Sequence, residues 1–288
     1  MIRNFMYLDS QKLRSISSQI FKGVPEQVLL VNEERTETSD SQKGEFASGR
    51  LIADIFAKEK SSSELRFLED HAYSLFEEHV LNEKLAKIYG GSFDAEDASK
   101  SFVLVTGRLR INDFASTTKL LENFNEIGEA FWRVTNMPGG ILGPNLKNLS
   151  DSEVKKRAGE AGMQFEKKFM DNATKLLRFG YNGLIEANIN FEDKSFSAPL
   201  KREFLRDSEE MILHKYSRYT QREFSMLGVV TQSGSENNES AIPDVKDADG
   251  IKEAMRALTL HLRTLEQVFA APSANETMLD PIAIYTTL

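Results

Sequence analysis

The chain of 288 residues has no cysteine, one tryptophan and four histidines. Without cysteine there are no disulfides, thiolate metal sites, iron–sulfur clusters or cysteine nucleophile. Of the histidines His71, His79, His214 and His261, no two stand four apart around a glutamate, the zinc-protease spacing. His71 and His79 lie a little over two helical turns apart, too far to chelate one ion unaided, so no metal site is expected. No window approaches the roughly 18 consecutive apolar residues of a membrane span. The opening Met1-Ile2-Arg3-Asn4-Phe5 lacks a signal peptide's apolar stretch, and a cytoplasmic protein is expected. An excess of positive charge is also missing. Lysine and arginine number 36 against 44 acidic residues, a net charge of −8, so no global field draws in nucleic acid or anionic lipid.

What is present is ordinary globular material: 40% apolar and 28% charged residues, enough for the cores of about two domains. Met137–Asn148, rich in glycine and proline, breaks both helix and strand and reads as the connection between halves 1–136 and 149–288. Glu33–Gly44 and Gly234–Pro243 read as polar loops, and Leu51–Phe56 is ambiguous.

Ile2–Leu8 reads as a strand, and Asp9 or Ser10 caps a helix ending near Gly23. Ser63–Tyr89 has helical apolar spacing up to Gly90. Phe102–Ile111 alternates as a strand, with Val103, Val105, Leu109 and Ile111 on one face and Arg108 and Arg110 on the other. A helix follows from Asp113, and Phe131–Thr135 reads as a returning strand. Ser150-x-x-Glu153 fits a capping box for a helix running towards Arg178. Gly180–Phe191 and Ser195–Arg206 read as paired strands, Asp207–Tyr216 as a helix and Glu223–Gln232 as a strand. Asp247–Phe269 is a long helix with Ile251, Ala254, Met255, Leu258, Leu262, Leu265 and Phe269 on one stripe, and Ile282–Tyr285 closes the chain as a strand.

Phe102–Phe131 and Phe224–Phe269 echo each other, each a strand with a central glycine (Gly107, Gly228) followed by an amphipathic helix. The expected fold is α+β: a mixed or antiparallel sheet flanked by helices, with two pseudo-repeated strand–helix–strand units.

Tyr7-Leu8-Asp9 before a helix, Val105-Thr106-Gly107 with Leu227-Gly228-Val229-Val230-Thr231, and Pro281-Ile282-Ala283-Ile284-Tyr285 together resemble a bacterial family of soluble proteins known only as a domain of unknown function. The likeness spans nearly the whole chain and carries no activity, cofactor or catalytic residue. Such genes sit among mobile and defence-related genes, so the resemblance suggests phage defence by association.

Gly44-Glu45-Phe46-Ala47-Ser48-Gly49 has phosphate-loop glycine spacing, but Arg50 and Leu51 stand where lysine and a hydroxyl residue are needed. There is no nucleophile elbow, and Met137–Pro144 suits a hinge better than an anion site. Glu186, Asp193, Glu203 and Asp207 are the carboxylates that an oxygen-ligated magnesium ion would use. Lys215, Tyr216, Arg218, Tyr219 and Arg222 interleave aromatics with cations, the pattern for stacking on bases and pairing phosphates, which Arg108 and Arg110 would extend. The competing reading packs the tyrosines under the sheet and pairs the cations with acidic neighbours. The amphipathic stripes read first as core, then as helix-docking or homodimer surfaces. The expectation is thus a non-catalytic bacterial binding or regulatory protein, with no cofactor, acting on a protein partner or its own copy. The alternative is a metal-dependent enzyme acting on nucleic acid or nucleotides.

Overall fold

A computed structural model describes residues 2–21, 62–90, 101–136, 149–234 and 251–288. The chain is α+β and forms two compact units, each discontinuous in sequence. The loops Glu33–Gly44 and Met137–Asn148, the Gly44–Leu51 stretch, Leu51–Phe56 and Gly23 lie outside the described residues, as does nearly all of Gly234–Pro243.

The first unit (1–112, 186–237 and 272–288) is built on a mixed seven-stranded sheet. Its strands are β1 (Arg3–Leu8), β2 (Ala86–Tyr89), β3 (Phe102–Asp113), β4 (Ile185–Phe191), β5 (Lys194–Leu200), β6 (Tyr219–Ser233) and β7 (Glu276–Thr287). β3, β4, β5, β7 and β6 close into a barrel-like ring, while β1 extends from β7 and β2 from β3. β7 is long enough to serve two partners on one edge. Its start pairs parallel with β5 (Ser195↔Glu276) and its end antiparallel with β1 (Leu8↔Ala283), while β6 runs along the other edge. β3 likewise takes β2 in parallel at its start and β6 antiparallel on its other edge. Gly228 sits at a register shift, where an added Cβ would lie 3.0 Å from the Asp280 carbonyl oxygen, so close strand approach requires the missing side chain.

The helices α1 (Ser10–Ile20) and α2 (Ser62–Asn82) cover this sheet. The Asp9 carboxylate accepts from the Lys12 amide at 2.8 Å and caps α1. Leu13, Ala72, Tyr73, Phe76 and Val80 meet Phe5, Leu8, Leu227, Ile282 and Tyr285 in one buried cluster. Each large apolar side chain so buried contributes about 1.5–3 kcal/mol relative to exposure. Tyr7 faces Ile284 and Leu8 faces Ala283, so the two terminal motifs are neighbouring strands of one sheet.

The second unit (113–185 and 238–271) is helical: α3 (Phe114–Asn136), α4 (Asp151–Glu160), α5 (Lys167–Tyr181) and α7 (Ile251–Ala270). The short α6 (Glu209–Tyr216) belongs to the first unit. The second unit's buried cluster is small: Trp132, Val154 and Ala158, with Leu149 and Met163 against them. Gly128 of α3 lies so close to the Met163 carbonyl that no Cβ fits between them.

Several expected boundaries move. Leu85–Tyr89 is not the end of a helix: Lys84 adopts φ 53° and Ala86–Tyr89 is a strand, since pairing with β3 outweighs local spacing. Phe131–Thr135 continues α3 because Trp132 seats in the helical core. The helix towards Arg178 breaks at Gly162, φ +74°. The strand expected from Gly180 begins only at Ile185. No helix among the described residues is long and apolar enough to cross a membrane.

Candidate interaction surface

The basic–aromatic segment is divided by its surroundings. Arg110 and Tyr219 face each other across β3 and β6, with the guanidinium 4.8 Å from the ring centre of Tyr219, which is 64% exposed. Arg108 pairs opposite Glu223, while Arg218 and Arg222 are exposed. Lys215 is tied to Asp207 at 2.6 Å. Tyr216 accepts from Asn4 and packs edge-on against Phe224, with ring centres 5.2 Å apart. Arg110, Tyr219 and Arg108 thus share one pair of strands, and Lys215 and Tyr216 are held elsewhere by α6.

The candidate carboxylates do not form one group. Asp207 is engaged by Lys215, while the Asn112 amide donates to Glu186 at 3.1 Å. Glu276 of β7 accepts from Ser197 and from the Ser273 amide at 3.0 Å. Among the described residues no three His, Asp or Glu side chains converge as metal ligands would.

Burial is the main force raising the Glu186 carboxyl above its ordinary 4.5; the Asn112 hydrogen bond opposes it, and Glu276 adds a smaller upward push. The folded protein therefore binds this proton more readily than the unfolded chain. Glu186's contribution to stability is full below the ordinary value and is lost as pH rises through the raised one. Glu186→Gln is expected to raise the thermal midpoint at neutral pH and to give no gain in acid, as melting curves across that window will show.

Sequence reasoning missed a buried polar centre. Glu77 of α2, 1% exposed, accepts from the Tyr73 hydroxyl at 2.9 Å and from the Tyr285 hydroxyl, and pairs with Arg3. Burial first, then the Glu77 charge, pushes both phenols above their ordinary range. One signal was available: Glu77 shares the inward helical spacing of Tyr73, Phe76 and Val80. At the other end of β1, Asp9 pairs with Lys12 and Lys201, and Lys12 reaches Asp280 at 2.5 Å. Apart from the Arg3 Nε, which is buried without a hydrogen-bond partner, these groups pair with one another. They tie strands and helices together.

The helical unit is the opposite case. α3, α4 and α5 line a cleft of about 540 Å³ with mixed charge, including Glu122, Glu126 and Glu129 against Lys155, Lys175 and Arg178. Outside it, apolar side chains face solvent in rows. On α3, Leu120, Ile127, Phe131 and Val134 are exposed. With Phe124 they follow the alternating four-and-three spacing of a helix-pairing seam. Phe169, Leu176 and Phe179 of α5, each 57% exposed, keep that spacing with Asn172 at the one polar position, and Phe165 lies just before the helix. On α7, Ile251, Met255, Leu262 and Leu265 do so again. The rows are linked. Phe165 contacts Phe124 and Phe169, with centroid distances of 4.9 and 6.1 Å, and Phe179 meets Phe269 at 6.0 Å. The stripe of the last helix was expected first as core. Every described side chain of α7 except half-buried Phe269 is instead exposed.

A family model described as a domain of unknown function, DUF6414, matches residues 2–285. No curated protein and no solved structure matches the chain.

Proposed function

The chain belongs to the DUF6414 family, and from that premise we propose that it is a non-catalytic binding or regulatory protein acting through the apolar seams of its helical unit. One observation carries this reading: three helices each hold a solvent-facing row of large apolar residues at helix-pairing spacing. Contiguous apolar patches of this kind mark interaction sites in soluble proteins, whereas scattered exposed residues need no explanation. The barrel-like unit supports the reading by contrast, since its polar side chains are largely spent on one another. A cytoplasmic setting and a place in bacterial phage defence are part of the same proposal, resting on the sequence and on the resemblance.

The reading is tested in the native cell with a photoreactive benzoylphenylalanine placed at Phe169 or Leu265, and at Gln221 on the barrel-like unit as control. The expected result is a discrete protein adduct at the two seam positions and none at the control. Absence of protein adducts at both seam positions, or equal labelling at Gln221, would overturn it.

A further inference from the structure

We infer that the occupant of the α7 seam is the same helix of a second copy of this chain, laid antiparallel about a two-fold axis. The inference deepens the proposed function and rests on it. α7 runs for 20 residues, and among its described side chains only Phe269 is sheltered, against α5. A helix with so exposed an apolar stripe gets little stability from its own hydrogen bonds and needs a covering surface.

The register identifies that surface. Antiparallel pairing centred at the level of Leu260 sets Met255 against Leu265 and Ile251 against Phe269 of the other copy, apolar layer on apolar layer. The same register brings Lys252 beside Glu266 of the second copy, and Glu266 beside its Lys252. Both side chains are exposed, and neither has an ion-pair partner among the described residues. The positions flanking the seam therefore complement themselves under a two-fold operation, as an isologous interface requires. Thr259 falls opposite its own copy between the two pairs, where no charge meets a like charge. On the other flank Val268, 72% exposed, widens the apolar strip. A membrane surface is a poorer match. The α7 sequence intersperses Glu253 and Glu266 with Lys252, Arg256 and Arg263, whereas an interfacial helix favours a predominantly cationic polar face.

Sedimentation velocity of the purified full chain tests this. The expected species has twice the 32.5 kDa chain mass, and Leu262→Glu with Leu265→Glu converts it to the single chain. Because that variant places two charges on a helix, Lys252→Glu provides a second test at an exposed position. It is expected to weaken self-association roughly fivefold to tenfold, and Lys252→Glu combined with Glu266→Lys to restore it. A wild-type chain that stays single at all concentrations overturns the inference, as does a dimer indifferent to both sets of changes. So does a single chain depleted by phosphatidylserine vesicles through Leu262 and Leu265, which would assign the seam to lipid. A single chain that still gives seam adducts to a different protein removes the second copy and leaves the proposed function standing.

Discussion

Glu77→Ala is expected to cost the fold about 3–5 kcal/mol, the usual loss when one member of a buried ion pair is removed. The physical origin is what stays behind. Arg3 and the hydroxyls of Tyr73 and Tyr285 all direct hydrogens at the Glu77 carboxylate. With alanine there, one guanidinium and two phenols face a nearly dry gap, and each unmade hydrogen bond retains its desolvation cost. The effect spreads because Arg3 is on β1, Tyr285 on β7 and Tyr73 on α2, so one carboxylate joins two strands to a helix. Glu77→Gln keeps an acceptor but loses the charge opposite Arg3 and is expected to fall between alanine and wild type. Urea unfolding measures all three proteins. A loss below about 1 kcal/mol for alanine, the ordinary worth of one hydrogen bond, would show that the centre is incidental to the fold.

Much of the secondary structure was legible in the chain. Asp9 and Ser150 announce their helices, since a short acceptor side chain before an apolar periodic run can satisfy the first free amides, and both are seen capping. The echo of two strand–helix–strand passages survives in part. β3 leads into α3–α5 and returns as β4, and β6 leads into α7 and returns as β7. The first return comes much later than Phe131, because a second and third helix intervene. Division into discontinuous units was not legible, because it depends on which strands pair across more than a hundred residues, as Thr106 and Ser225 do. The seams were half legible. Periodicity shows that Met255, Leu262 and Leu265 share a stripe, but it does not say whether a neighbour covers them. Coverage is a tertiary property, and no described residue supplies it to the exposed side chains of α7. The Glu77 centre was legible only in its inward helical position, since its three donors come from residues 3, 73 and 285 and meet only in the folded sheet.

The second large effect concerns α7. A helix whose apolar stripe lacks cover opens almost freely, and its amides exchange with solvent at nearly unprotected rates; covering the stripe closes that route. In a chain that associates through this helix, protection of Ile251–Ala270 must depend on protein concentration. Protection of β6 and β7, paired along their length within the chain, must not. The barrel-like strands act as an internal standard, because dilution alters association without altering their ladder. Hydrogen–deuterium exchange on the full chain, concentrated and after about a hundredfold dilution, is therefore the most direct measurement. The expected result is a loss of protection in α7 of tenfold or more on dilution, with β6 and β7 unchanged. An α7 that stays strongly protected at the lowest concentration would mean that its own chain covers the seam, and would contradict the claim that this surface is kept for another molecule.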